Sequence, residues 1–257
     1  MKRLPVALPA CILAFLFGCE HTAEEVELPF KERLVVYGDI EGAVNFERTL
    51  PLNTVWNEDS SRLQDVNARI VFQGASFPLR LDSVVRGLYR GYVLPEGADI
   101  ELQADWRGKK VTARVKKPTR PQIDTLWMSV DSSMVPPTIR CGGTYVATEN
   151  VAYFASISVR MDTDRFEKGW RFLKGDDGTS GAERIQLAAE FPFQAGATCR
   201  VYMIVDAYDR AYYDYHLSEG YGSLPPTSLF SGSIRSNIKG DGIGIVWANS
   251  SSSRVIQ

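Results

Sequence analysis

Apolar and polar residues alternate with a period of two along most of the chain. Ile100, Leu102, Ala104 and Trp106 are separated by Glu101, Gln103 and Asp105, the signature of a strand with one face buried and one in water. Phe77, Leu79 and Leu81 enclose Pro78 and Arg80, where the proline marks an edge strand. Stretches 33–40, 68–72, 87–94 and 110–115 are β-rich and predict further strands. Pro95-Glu96-Gly97-Ala98 and Arg107-Gly108 read as turns. Strands this regularly spaced predict a β-sandwich over 31–118.

Lys116-Lys117-Pro118-Thr119-Arg120-Pro121 then breaks the alternation and suits a semi-rigid linker. Beyond it, 124–130, 152–161, 185–193, 198–206 and 242–247 predict a second set of strands. The period changes once. Tyr208, Ala211, Tyr212, Tyr215 and His216 recur at helical spacing and predict a short amphipathic helix. The fold class expected is all-β. An immunoglobulin-like or transthyretin-like β-sandwich is followed by a second β-rich domain over 119–257, with one short helix.

The amino terminus follows neither pattern. Lys2 and Arg3 precede an apolar run over 4–17, as in a secretory leader. The run is shorter than the ~20 apolar residues a spanning helix needs. It ends in Leu16-Phe17-Gly18-Cys19. That ending resembles the lipobox of bacterial lipoproteins, with Phe17 an unusual occupant. The resemblance implies a leader over 1–18 that is cut away, and a lipidated Cys19. Several acyl chains at ~0.8 kcal/mol per buried methylene anchor a chain durably. Glu20, Glu24, Glu25, Glu27 and Pro29 follow, too polar to build a core, so 19–30 reads as a disordered tether. The same acidic stretch also resembles the surface-export signal of Bacteroidota lipoproteins; a plain solvated linker is the equal alternative.

Charge and cysteine count narrow the function classes. The 257 residues carry a formal charge of −2, and losing Lys2 and Arg3 makes the rest more acidic. Nothing here supplies the basic excess that nucleic-acid binding needs. Of four cysteines, Cys11 leaves with the leader and Cys19 carries lipid. Cys141 and Cys199 are expected to pair in an exported compartment, stabilising by about 4 kcal/mol through loop closure; two buried thiols are the alternative. With only two histidines, His21 and His216, histidine catalysis and histidine metal sites are not expected. No Gly-x-Ser-x-Gly elbow occurs. Gly240, Gly242 and Gly244 are followed by a strand, which points to close strand packing rather than a phosphate loop. Asp176-Asp177, and Asp162 with Asp164, lack calcium-loop spacing. No catalytic residue, cofactor or metal is therefore expected. Trp106, Trp127 and Trp247 lie in strand patterns and are assigned to core. Trp56 and Trp170 border polar loops and are the candidate ligand-contact aromatics, for a glycan or a peptide.

One family is similar along most of the chain. Leu34-Val35-Val36-Tyr37-Gly38-Asp39-Ile40, Gly87-Leu88-Tyr89, Pro95-Glu96-Gly97 and Ser236-Asn237-Ile238-Lys239-Gly240-Asp241-Gly242-Ile243-Gly244 resemble, in order, the motifs of a Bacteroidota lipoprotein family. That family is known only as a domain of unknown function, the four-two-four-nine family. Asp241 replaces the second glycine of its closing motif. The resemblance implies an accessory role, and with no catalytic motif recognised the expected function is that of a non-enzymatic, lipid-anchored accessory or binding protein of the outer membrane, on its periplasmic or surface face. It also implies work beside a TonB-dependent receptor in nutrient capture. A structural or adhesive surface lipoprotein is the alternative.

Overall fold

A computed structural model describes residues 30–51, 54–55, 57–161, 170–174, 183–192, 198–218 and 235–257. Glu32–Gln257 forms one unit, distinct from Met1–Lys31. The class is all-β, as the alternation predicts. The strands are β1 (Leu34–Asp39), β2 (Ala43–Arg48), β3 (Asn67–Phe72), β4 (Ala75–Pro78), β5 (Arg80–Leu81), β6 (Leu88–Arg90), β7 (Asp99–Trp106) and β8 (Lys109–Lys116). They continue as β9 (Gln122–Asp131), β10 (Thr138–Ala147), β11 (Val151–Met161), β12 (Trp170–Lys174), β13 (Glu183–Pro192) and β14 (Cys199–Asp209). The last are β15 (Ile238–Gly240), β16 (Gly242–Trp247) and β17 (Asn249–Ile256). Among the described residues two helices interrupt them, α1 (Glu58–Ser61) and α2 (Arg210–Ser218).

Two sheets build the first core, in the orders β16-β1-β2-β6-β5 and β15-β8-β7-β3-β4. Along β7 the inward residues are the predicted ones: Ile100, Leu102, Ala104 and Trp106 are buried. They meet Leu34, Val36, Phe46 and Ile70 in one cluster, each large side chain contributing about 1.5–3 kcal/mol by leaving water. The Trp106 indole N–H donates to Asp65 at 2.9 Å, so its burial strands no polar atom. At one end of this core Lys117 pairs with Glu41 at 2.9 Å, both side chains 10% exposed. The ammonium also donates to the Leu94 carbonyl at 2.7 Å. Such a nearly buried pair holds because its donors are used.

The second core lies between β13-β10-β9 and β12-β11-β14-β17. Ile139, Tyr145, Ile157, Val201, Met203 and Val205 fill it. The boundary expected at 118 is only the first crossing between the two cores. The chain crosses back at β15 and β16, whose Ile238 and Val246 belong to the first cluster, and returns as β17 beside β14. β15 joins one sheet of the first sandwich through β8, and β16 joins the other, parallel to β1. This corner needs its glycines. Gly240 has φ +97° and Gly244 φ +120°; a Cβ on Gly244 would stand 2.0 Å from the Val36 carbonyl oxygen. The outer side of β16 is closed by a side chain. The Asn237 amide donates to the Val246 carbonyl at 2.7 Å, and its oxygen accepts the Val246 N–H at 3.1 Å.

Two sequence expectations are corrected here. No disulfide joins Cys141 and Cys199; both sulfurs are thiols. They project into the same core, but each has another neighbour. The Cys141 thiol faces the Ala189 carbonyl at 3.7 Å, and Cys199 Sγ lies 3.4 Å from Met128 Sδ. Burial, with Cys199 adding to it, pushes the Cys141 thiol up to about 11. The second correction is Trp127. It is no core residue but 40% exposed on the outer face of β9.

Two outcomes are expected. Native protein at neutral pH leaves Cys141 and Cys199 unalkylated by iodoacetamide, whereas denatured, unreduced protein takes up one label at each, read by peptide mass mapping; failure to label after denaturation means a bridge. Asn237→Ala strands the Val246 amide and carbonyl and lowers unfolding free energy by about 2 kcal/mol, measured by urea titration.

Candidate functional site

A cleft opens where β3, β7 and β8 of the first sandwich meet the end of β14. It has a volume of about 550 Å³ and is walled by Val71, Glu101, Arg114, Lys116 and Asp209, among others. Alternation on β7 and β8 places Glu101 and Arg114 on the face opposite the core, paired across the strands. Arg114 Nε donates to Glu101 at 2.9 Å and Gln103 donates at 2.6 Å. The Gln103 bond first, then Arg114, holds the Glu101 carboxyl below its usual range. Asp209 ends β14 and caps α2. Its carboxylate accepts the Ala211 N–H at 2.7 Å and, across the junction, the Lys116 N–H at 2.8 Å. Burial nevertheless raises its pKa. Both carboxylates are committed to fixed donors, so the cleft offers shape and mixed charge rather than a poised acid–base pair.

The same junction is fastened by aromatic rings. Tyr208 stacks on Tyr212 at 4.2 Å, and Tyr212 meets Trp247 at 5.0 Å. Trp247 meets Tyr37 edge-on at 5.0 Å, and Tyr37 lies 6.1 Å from Tyr215. The predicted helical stripe therefore docks on β1 and β16. Aromatic pairs of this kind contribute about 0.5–1.5 kcal/mol each beyond their buried area. Burial, with Asp206 adding to it, pushes Tyr208 up to about 12. Asp39, at the end of β1, accepts the Glu41 N–H at 3.0 Å. Burial raises its pKa above 3.8 against the pull of the Glu41 and Gly42 amides and of Lys117.

Most of the residues singled out from the sequence fall outside the described residues. Cys19, His21, Trp56, Asp162, Asp164, Asp176 and Asp177 lie outside the described residues. Trp170 opens β12 opposite Ile157, and its side chain, like that of His216, lies outside the description. Cys141 and Cys199 are core residues of the second sandwich. Among the described residues no cluster of His, Cys, Asp and Glu could hold a metal ion, and no helix is long and apolar enough to cross a membrane. Sequence reasoning missed Asp209. The predicted helical stripe starts too early, at Tyr208, which belongs to β14; with the helix starting at Arg210, Asp209 stands at the N-cap, where an aspartate is a recognised signal.

No protein-family model matches the chain, and no curated protein matches it. Two solved structures, both crystal forms of a cytokine receptor complex, are similar to it in part. One is 16% identical, covering 71% of this chain and 92% of its own, with a TM-score of 0.26. The other is 13% identical, covering 88% and 96%, with a TM-score of 0.26. A likeness that slight carries no argument about fold or function.

The raised Asp39 carboxyl gives a pH dependence with a definite sign. The folded chain holds this proton more tightly than the unfolded one, so the contribution is full below 3.8 and lost as pH rises through the folded pKa. Asp39→Asn, which keeps an amide acceptor but no charge, gains on wild type across that rise. The difference in urea midpoint should grow from about pH 4 to about pH 7; a shrinking difference contradicts the assignment.

Proposed function

We propose that the chain is a lipid-anchored accessory or binding protein of an outer membrane, working beside a TonB-dependent receptor in nutrient capture. One observation carries this reading: Leu16-Phe17-Gly18-Cys19 closes a short apolar run that begins behind Lys2 and Arg3. A cysteine at that point is a natural acyl acceptor, and the acidic stretch behind it suits a tether. Two β-sandwich cores support the binding half of the reading, because rigid sheets hold loops and outer faces in fixed geometry. Anchoring would keep those faces at high local concentration near a receptor, so that weak capture suffices.

Expression in a Bacteroidota host with an alkyne fatty-acid probe tests the anchor. Wild type should take up label and sediment with membranes; Cys19→Ala should do neither. Mild-detergent extraction of the labelled protein should bring a TonB-dependent receptor with it. A soluble, unlabelled wild type overturns the reading.

A further inference from the structure

Among the described residues, Trp127 is the largest side chain that the second sandwich leaves in water. It sits opposite Gly142 on β10, which sits opposite Ala188 on β13. A Cβ on Gly142 would stand 2.5 Å from Trp127 Cζ2 and 2.7 Å from Cε2. The ring therefore lies over the glycine, against the sheet, with the residue still 40% exposed. Gly142 is what lets it do so; the adjacent Gly143 faces the core instead, toward Met203 Sδ.

Polar rows run on both sides of this aromatic centre. On one side Thr125, Thr144 and Gln186 are in register across the three strands, with the threonine hydroxyls 2.8 Å apart. On the other side Arg140 stands opposite Glu190. Its guanidinium is 3.0 Å from Glu190 and 3.7 Å from Asp131. Same-face rows along a strand are ~6.7 Å apart, so donors and acceptors border the indole at close range.

We propose that the outer face of the β9–β10–β13 sheet is a sugar-binding platform, centred on Trp127, that takes the pyranose face of a neutral glycan. The chemistry matches on both counts. A pyranose presents a face of C–H groups, which the negative face of an aromatic ring attracts. Its hydroxyls, each donor and acceptor, project from the ring edge toward the two rows. Arg140 is matched by carboxylates, so an anionic ligand finds no surplus cation here, and the guanidinium is held ready to donate. The platform goes beyond the anchoring role and stands or falls apart from it, since it does not involve Cys19.

Calorimetry on the full chain in a polyoxyethylene detergent, which carries no sugar headgroup, tests the platform. The probes are neutral oligosaccharides built of glucose, galactose or mannose. At least one should bind, and Trp127→Ala should weaken it about tenfold or more in protein that still unfolds in one cooperative transition. Trp127→Phe should keep part of the affinity. Gly142→Val should lose it by displacing the indole; if that variant does not fold, Trp127→Ala decides alone. A panel that binds nothing, or binds Trp127→Ala as well as wild type, overturns the proposal. So does a Trp127→Ala variant that keeps its sugar binding but no longer co-purifies with a receptor, which makes this face a protein interface.

Discussion

The structure depends on a parallel pairing between β1 and β16, strands from opposite ends of the described chain. β1 is flanked on its other side by β2, so β16 is what completes its hydrogen bonding. Without it, the amides of a strand that contributes Leu34 and Val36 to the core would be left open. The pairing is close because Gly244 allows it, and it is sealed by Asn237 on the far side. Loop-closure entropy makes such a contact costly to form and slow to find. Once formed, it places the chain's last turn where it can begin β17 in the other sandwich.

That return also explains how the two cores are joined. A simple linker at 118 would leave two beads on a string, free to reorient. Instead the first core takes in Ile238 and Val246 while β17 belongs to the second sandwich. Polar bonds reinforce the crossing. Ser250 donates to the Pro118 carbonyl at 2.7 Å and Ser252 to the Pro121 carbonyl at 2.6 Å. Asp209 reaches back to the Lys116 amide, and the Tyr208–Tyr212–Trp247–Tyr37 series lies across the same seam. Opening the seam would expose rings, a carboxylate and serines together, so the two-proline stretch read as a semi-rigid linker is fastened at both ends.

What the sequence reveals and conceals follows from the range of the interactions. β7 is legible because its alternation is clean: apolar residues on one parity, charged or amide residues on the other. α2 is legible because its aromatic spacing is local. The partner of β1 is not, since strand pairing across most of the chain leaves no mark on either strand. A strand pattern alone does not show that Trp127 points outward, because β9 carries apolar residues on both parities: Ile123, Leu126, Met128 and Val130 besides the tryptophan. A register shift between Thr144 and Tyr145 further disturbs the phase. The expected disulfide came from counting cysteines in an exported chain. Counting says that two sulfurs are available, not that they are bonded; here both remain thiols, one beside the Ala189 carbonyl and the other beside Met128.

The two faces of the β13-β10-β9 sheet do different work, and glycine shows how. Gly142 and Gly143 are neighbours on β10, yet their missing side chains serve opposite faces. At Gly143 the space belongs to Met203 and the core; at Gly142 it belongs to the Trp127 ring outside. A residue pair that merely relieved crowding in the core would need glycine only at the inward position. The outward glycine lowers an indole onto the sheet, where it packs on one side while part of the residue stays in water. A large ring left 40% exposed, seated by a glycine and bordered by paired polar side chains, is therefore better accounted for by what it can hold than by what it packs against.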